Sequence, residues 1–225
     1  MGTLGSRNTG IGMTSDRTRA RMVERLRSEG IRDEVVLSAI NAVPRHIFVD
    51  EALAIRAYDD APLPIGHGQT ISQPWVVARM TELARNGRTL DAVLEIGTGC
   101  GYQTAVLSHL ATTVYTVERI GALAAKARRN LQSLKIKNVR LKHGDGSADL
   151  GEALDVDAIV ITAGASHMPT ALLKYLRRGG RMVLPLANAD EPGTQRLTVI
   201  ESGAGGFREQ TYDAVRFVPL LPGTA

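Results

Sequence analysis

The chain has 225 residues, 44% of them hydrophobic, which is enough for one sizeable core and short for two. Its 27 basic and 23 acidic residues give a net charge of +4 without a run of five or six like charges, which favours a solvated surface over a nucleic-acid-binding face. A single cysteine excludes an internal disulfide, and no apolar run approaches the roughly 20 residues of a membrane span. We therefore expect a cytoplasmic protein without nucleic-acid or membrane partners.

The first part of the chain predicts a helical cap. Residues 1–14 are too polar and glycine-rich for a signal peptide, so we expect a disordered tail or a start-site extension. Apolar residues at helical spacing then predict two helices, the second opened by Asp33 and stopped by Pro44. A single domain is predicted over residues 15–225, in which residues 15–90 hold the cap and a substrate loop.

A polar stretch, "QTISQPW", leads into a third predicted helix. The prolines and glycines of residues 58–74 exclude a long regular element there. Pro74 suits the first helical position, which makes Gln73 or Ser72 the cap and leaves backbone N–H groups unpaired. The positive end of the helix dipole adds to these donors, so we predict an anion site beside Ser72.

From residue 91 the pattern changes to strands alternating with helices. The strands are "AVLEIG", "TVYTVE", "VRLKHGD", "DAIVITA" and "GRMVLPL", with a short helical piece after the third and a helix around "PTALLKYL" before the last. This alternation predicts an α/β fold with a doubly wound, mostly parallel, Rossmann-like sheet. Two β-rich runs joined by a glycine-rich turn complete residues 91–225 and predict an antiparallel hairpin at the sheet edge.

The motif "VLEIGTGCGYQTAVL" indicates a ligand site at the end of the first long strand. Gly97, Gly99 and Gly101 permit a tight turn and a close approach of the backbone to a ligand. Glu118, at the end of the next strand, is placed to accept hydrogen bonds from two ribose hydroxyls. The two strand ends together predict a nucleoside-containing cofactor.

The nature of this cofactor depends on the acid that precedes the loop. A nicotinamide dinucleotide favours a third glycine or alanine where this chain has Tyr102. If Glu95 points into the pocket, it repels a pyrophosphate and suits the ammonium and sulfonium groups of S-adenosyl-L-methionine. Asp145, in "GDG", can accept from an adenine amino group, although a simple Asp-Gly turn explains it equally.

Taken together, these stretches give the chain a resemblance to a known family. Over about residues 15–222 it resembles the protein-L-isoaspartate O-methyltransferases, in "AVPRHIFV", "YDDAPLPIGHGQTISQP", "VLEIGTGCGYQTAVL", "TVER", "GDG", "GGRMVLPL" and "VRFVPL". It departs at Cys100, where family members often have serine, and in the "SADL" that follows "GDG". The resemblance implies methyl transfer from S-adenosyl-L-methionine to isoaspartyl residues of damaged peptides and proteins, with S-adenosyl-L-homocysteine as product. We also expect the chain to be a monomer.

The resemblance also implies that Ser72 is the catalytic residue, with Thr70 and Ile71 beside it at the substrate. We assign ten residues to the cofactor: Glu95, Gly97, Thr98, Gly99, Cys100, Gly101, Glu118, Arg119, Asp145 and Gly146. A carboxylate acceptor is already ionised at neutral pH, since its pKa is roughly 4, so the reaction needs no base and no metal. We interpret Ser72 as a donor that orients this carboxylate, although a purely capping role remains open.

Two other functions remain possible at this point. A methyltransferase of the same fold that acts on another carboxylate or on a small molecule would share every cofactor residue, and a basic RNA-binding or cofactor-sensing protein needs no catalysis. Substrate selectivity is expected from the loop 66–73 and from "VRFVPLL", an extended run able to pair with a peptide main chain. On this view, removal of the residues after Arg216 largely spares cofactor binding but lowers methylation of isoaspartyl peptides by about an order of magnitude or more.

Overall fold

The computed structural model describes residues 12–151 and 153–225. The cap contains two α-helices, α1 (Asp16–Ser28) and α2 (Glu34–Ala42), followed by two 3-10 helices at Arg45–Phe48 and Glu51–Arg56. Asp33 is confirmed as the N-cap residue of α2, because its carboxylate accepts from the N–H groups of Val35 and Val36. Of the predicted tail, residues 1–11 lie outside the described residues, whereas Gly12–Thr14 form a 3-10 turn instead of an unstructured extension.

The polar stretch forms a small hairpin in front of the third helix. Strands β1 (Leu63–Gly66) and β2 (Gln69–Ile71) pair antiparallel, and α3 (Pro74–Arg85) begins three residues after β2. As predicted, Pro74 is the first helical residue, with Gln73 as the N-cap. The hairpin therefore places Ser72 in a two-residue link between a strand end and a helix start.

A seven-stranded sheet forms the centre of the molecule. Its strands are β3 (Leu90–Ile96), β4 (Ala111–Glu118), β5 (Val139–His143), β6 (Val156–Ile161), β7 (Leu176–Ala187), β8 (Gln195–Gly203) and β9 (Gly206–Val215). The order is β5-β4-β3-β6-β7-β8-β9, with the first five parallel and the last two antiparallel to their neighbours. Helices α4 (Tyr102–Ser108) and α5 (Gly121–Ser133) follow β3 and β4. The α/β fold with a C-terminal hairpin is therefore confirmed.

Two of the predicted helices are wrong. The described residues between β5 and β6 contain no helix, because the Asp145 side chain accepts from the backbone and hydroxyl of Ser147 and holds a turn instead. Before β7, "PTALLKYL" forms only a 3-10 helix at Thr170–Tyr175. Among the helices of the described residues, none is long and apolar enough to cross a membrane.

The cap packs directly against helices α4 and α5, which follow the strands β3 and β4. Buried cap residues such as Leu26, Ile40 and Phe48 share one apolar cluster with Tyr102 and Leu123, from α4 and α5. Helix α3 packs on both parts, because its Val77 and Ala78 belong to the cluster of the cap while other residues of the helix pack on the sheet. Its side of that contact is Val76, Met80 and Leu83, and the sheet contributes Val93, Val160 and Val183. The Ser72 link is thus supported by the cap on one side and by the sheet on the other.

Candidate active site

The glycine loop after β3 has the backbone that only glycine adopts without strain. Gly97, Gly99 and Gly101 have φ values of +94°, +56° and +92°. The loop is fixed to the next strand, because the N–H of Gly97 donates to the carbonyl of Val117 at 2.9 Å. A Cβ on Gly99 would lie 3.3 Å from Cδ1 of Ile65, so a side chain there would fill the space beneath the β1–β2 hairpin.

A cavity opens beside this loop at the carboxyl ends of β3, β4 and β6, and we call it the glycine-loop cavity. Five residues assigned to the cofactor line it: Gly97, Gly99, Glu118, Arg119 and Gly146. Other parts of its wall are Ile65, Gln69, Thr70, Ile96, Thr162, Ala163, Val218, Pro219, Leu220 and Leu221. Its position at the strand ends is the one at which doubly wound sheets bind ligands.

Glu118 lies in the wall of this cavity as the sequence predicts. One carboxylate oxygen accepts from the N–H of Gly99 at 2.7 Å, and the other accepts from the N–H of Ile120 at 2.9 Å. Each carboxylate oxygen has a further lone pair, so ribose hydroxyls can still donate to it. Glu118 therefore fixes the glycine loop as well as offering an acceptor to a ligand.

Glu95 does not point into the cavity, and the expectation that it does is wrong. Its side chain is fully buried, with 0% exposure, and Oε2 accepts from the hydroxyls of Thr104 and Thr116 at 2.5 and 2.6 Å. Burial raises the pKa of Glu95 to about 8, despite these hydrogen bonds. The raised pKa favours the neutral form, and the side chain does not line the cavity in which a cationic ligand would bind.

Asp145 lies beside the cavity, and its carboxylate is bound within the chain. Its Oδ2 accepts from the N–H of Gly223 at 2.7 Å, while Oδ1 accepts from Ser147. Burial opposes ionisation, but the hydrogen bonds from Gly223 and Ser147 outweigh it, so the pKa of Asp145 lies below its usual value. The neighbouring Gly146 lines the cavity itself.

The three other residues assigned to the cofactor support the loop from behind. Thr98 is buried and its hydroxyl lies 2.6 Å from that of Thr116, whereas Cys100 is buried and not part of the cavity wall. Burial raises the pKa of the Cys100 thiol to about 11, which keeps it neutral and unreactive. A Cβ on Gly101 would meet Ala127 of α5 at 3.3 Å, so this glycine serves helix packing.

A second concavity, which we call the Ser72 groove, adjoins the glycine-loop cavity. Its lining comprises Pro62, Thr70, Ser72, Gln73, Trp75, Val76, Thr162 and residues 214–218. Thr70, Thr162 and Val218 line both spaces, so a ligand in one lies next to a ligand in the other. Among the described residues, the Ser72 hydroxyl has no hydrogen-bond partner and remains free to donate to a bound molecule. Ile71 is buried and lines neither space.

A carboxylate of the chain itself occupies part of the predicted anion site at the start of α3. Oδ1 of Asp60 accepts from the N–H of Trp75 at 2.9 Å, and Oδ2 accepts from the Gln73 side chain at 3.3 Å. The negative charge of Asp60 thus lies at the positive end of the helix dipole, and the Gln73 side chain makes no capping hydrogen bond. Asp60 is distant in sequence from a conventional capping position, so local reasoning does not identify it.

The C-terminal run lines both spaces, whereas the sequence predicted it only on the substrate side. The side-chain amide of Gln195 makes two hydrogen bonds with the backbone of Phe217. The Phe217 N–H donates to Oε1 of Gln195 at 2.7 Å, and Nε2 of Gln195 donates to the Phe217 carbonyl at 3.2 Å. The Val218 carbonyl accepts from Gly164, and residues 218–221 line the glycine-loop cavity. Phe217 and Val218 are therefore already paired within the chain, and removal of this run cannot leave the cofactor side intact.

Comparison with known proteins identifies the family. The family model described as protein-L-isoaspartate(D-aspartate) O-methyltransferase matches residues 17–225. A protein-L-isoaspartate O-methyltransferase of Dechloromonas aromatica is 59% identical over 216 residues, which cover 96% of this chain and 98% of the relative. One from Nitrosomonas eutropha is 56% identical over 220 residues, covering 97% of each chain.

A solved structure agrees with these sequence relatives. A Plasmodium falciparum protein-L-isoaspartate O-methyltransferase, crystallised with S-adenosyl-L-homocysteine, superposes with a TM-score of 0.76 at 26% identity, covering 90% of this chain and 98% of that one. The glycine-lined wall and the Glu118 carboxylate of the present chain fit an adenosyl ligand. The chain therefore belongs to the protein-L-isoaspartate(D-aspartate) O-methyltransferase family, and its cofactor is S-adenosyl-L-methionine.

Proposed function

We propose that the chain methylates the free carboxylate of L-isoaspartyl residues in damaged peptides and proteins, and that Ser72 orients this carboxylate. The observation that carries the proposal is the junction of the two spaces at Thr70, Thr162 and Val218. A cofactor held in the glycine-loop cavity would lie beside an acceptor held in the Ser72 groove. Transfer between the two needs this adjacency, because the attacking oxygen must approach in line with the methyl group.

The chemistry of the Ser72 groove suits an acceptor that is already ionised. When bound, S-adenosyl-L-methionine supplies a methyl group on a sulfonium, which needs no further activation. A carboxylate oxygen forms the new bond to this methyl carbon while the carbon–sulfur electron pair returns to sulfur, and no proton is transferred. Among the residues that line the groove, Arg216 is the one ionisable group, so the groove contains no base. An amine or alcohol acceptor would usually require one.

Ser72 and Thr70 are proposed to hold the acceptor. The Ser72 hydroxyl is free, partly buried and part of the groove, so it can donate to one oxygen of the carboxylate and leave the other to react. Thr70 lines both spaces and lies near the path of the methyl group. Because Asp60 occupies the start of α3, the side-chain hydroxyls orient the acceptor rather than the helix dipole.

To distinguish isoaspartyl from aspartyl residues, the site must contact the main chain of the substrate as well as its carboxylate. An isoaspartyl residue differs from aspartate by a methylene moved from the side chain into the backbone, so both isomers carry one carboxylate. The loop 66–73 and Arg216 border the groove and are the parts proposed to contact the peptide backbone. A site of fixed polar groups rejects the wrong isomer because its own groups are then left unpaired.

The cellular setting is proposed on more general grounds. Ion pairs with Glu34, Asp33 and Glu201 occupy Arg27, Arg85 and Arg181, which supports a dispersed basic surface over a nucleic-acid footprint. A lone, unreactive cysteine fits the reducing cytoplasm. We propose a cytoplasmic monomer without nucleic-acid or membrane partners, to be tested by light scattering of the purified protein and by RNA binding at physiological salt.

The direct test of the substrate is a matched pair of peptides. Purified protein is incubated with radiolabelled S-adenosyl-L-methionine and either an isoaspartyl peptide or the same peptide with normal aspartate. Base-labile methyl ester should form on the isoaspartyl peptide and be at least about tenfold slower on the other. Equal rates, or transfer only to small carboxylic acids, would instead identify a methyltransferase of this fold with a different acceptor.

A further inference from the structure

Arg45 is buried in a way that stability alone does not explain. Its side chain is 0% exposed, and it forms no ion pair among the described residues. Burying a guanidinium costs several kcal/mol, and an apolar side chain of similar size is often as stable or more so. One of its nitrogens, Nη1, also lacks a hydrogen-bond partner within the described part of the chain. Such a costly arrangement suggests that its contacts matter for something besides folding.

Those contacts connect three parts of the active site. Nε donates to the carbonyl of Ala57, at the end of the cap, at 2.8 Å, and Nη2 donates to the carbonyl of Ser72 at 2.7 Å. The guanidinium carbon lies 4.7 Å from the centre of the Tyr102 ring. Tyr102 is the first residue of α4, directly after the glycine loop. Arg45 therefore links the Ser72 segment to the loop beside which the cofactor lies.

Among the described residues, the bond from Arg45 is the one hydrogen bond that the Ser72 carbonyl accepts. The first backbone bond of α3 uses the carbonyl of Gln73, so Ser72 lies outside the helix. On the other side of the link, Asp60 holds the N–H of Trp75. The link is thus fixed at both ends, while the Ser72 hydroxyl has no partner among the described residues and lines the groove. Without Arg45, the Ser72 carbonyl loses the donor that fixes it, so the backbone of the link could shift and displace the Ser72 side chain with it.

We propose that Arg45 is a positioning residue that fixes the Ser72 hydroxyl relative to the glycine loop, and so aligns the acceptor carboxylate with the methyl group. This inference rests on the proposed function, because it acts through Ser72. Alignment is the main task of a catalyst whose two reactants are both already activated, and a displacement of about 1 Å can cost about 100-fold in rate. The loss of Arg45 should therefore lower kcat while the cofactor site, built from other residues, is retained.

A double-mutant cycle between Arg45→Gln and Ser72→Ala tests this dependence. The wild type, both single variants and the double variant are compared for kcat on an isoaspartyl peptide and for S-adenosyl-L-homocysteine affinity by calorimetry. Arg45→Gln alone should lower kcat about tenfold or more, with the affinity changed less than about threefold. In the Ser72→Ala background, the same change should lower kcat less than about twofold, because there is no hydroxyl left to position.

Two further variants separate positioning from stability. Arg181→Gln is the control, because Arg181 is also mostly buried and donates to the Leu83 carbonyl of α3, far from the Ser72 link, although it also forms an ion pair with Glu201. It should lower the Tm without the tenfold loss in kcat. Arg45→Lys retains a donor that can reach one carbonyl and should recover part of kcat, and it replaces Arg45→Gln in the cycle if that variant does not fold.

The outcomes distinguish the inference from the function on which it rests. Losses in kcat that multiply in the double variant, or that follow the Tm as in Arg181→Gln, would overturn the role of Arg45 and leave the substrate assignment standing. Full activity in Ser72→Ala would remove both the Ser72 role and the Arg45 role. Absence of methyl transfer to the isoaspartyl peptide by the wild type would refute the proposed function itself.

Discussion

Replacing Glu95 by glutamine should change the pH dependence of stability and leave cofactor binding nearly intact. Glu95 is fully buried, and its Oε2 accepts from two threonine hydroxyls. Glutamine has almost the same shape and offers a carbonyl oxygen to the same hydroxyls, so it resembles the protonated form of the native side chain. Because the carboxylate does not reach the glycine-loop cavity, the variant loses no contact with the cofactor.

The size of the effect follows from the shift in the pKa of Glu95. Burial raises it from 4.5 to about 8 in the folded protein. An acid with a raised pKa contributes stability that is fully present below the unfolded value and is lost as the pH rises through the folded value. The wild type should therefore lose up to about 4 kcal/mol of unfolding free energy between about pH 5 and pH 8 relative to the variant, at 1.36 kcal/mol per unit.

Urea unfolding of both proteins at pH 5, 6.5 and 8 measures this difference directly. The wild-type protein should become progressively less stable than Glu95→Gln as the pH rises. Calorimetry should give S-adenosyl-L-homocysteine affinities within about threefold of each other. A constant stability difference across this range, together with a tenfold or greater loss of affinity in the variant, would show that the carboxylate is ionised and faces the ligand.

Other substitutions test the remaining parts of the site. Glu118→Ala should weaken S-adenosyl-L-homocysteine binding by about 1.5 to 3 kcal/mol in calorimetry, since it removes a charged acceptor and releases the N–H of Gly99; unchanged affinity would contradict the ribose assignment. Gly99→Val should abolish binding in a protein that circular dichroism shows to be folded, because φ is +56° and Ile65 lies close. Asp60→Ala should lower the unfolding free energy by about 1 kcal/mol and reduce kcat, and a wild-type kcat would argue against support of the Ser72 link. Deletion of residues 217–225 should impair both cofactor affinity and methylation, whereas a truncate with native affinity would place the cofactor away from this run.

The elements that the sequence predicted correctly are those with local signals. The caps and breakers Asp33, Pro44 and Pro74 act within a few residues, and the buried parallel strands appear as apolar runs. The glycine loop was recognisable because its spacing and its position after a strand occur together. Glu118 was placed correctly for the same reason, since neighbouring parallel strands end at one edge of the sheet.

The errors arose where a side chain finds a partner far along the chain. Asp60 reaches Trp75, and Gly223 reaches Asp145, across separations that periodicity does not reveal. The direction of Glu95 could not be predicted, because a strand buried on both faces has no alternation to mark the side that faces a pocket. The burial of Arg45 could not be predicted from "AVPRHIFV", since an arginine is normally exposed.

The most direct test of the account is methyl transfer by Ser72→Ala, measured in a single turnover with enzyme-bound radiolabelled S-adenosyl-L-methionine and excess isoaspartyl peptide. Ser133→Ala, at an exposed serine of α5 that contacts neither space, is the control. If Ser72 orients the acceptor, Ser72→Ala should be slower by about tenfold or more at unchanged cofactor affinity, and the control should match the wild type. Transfer by Ser72→Ala at the wild-type rate would contradict this role and reduce Ser72 to a structural link before α3.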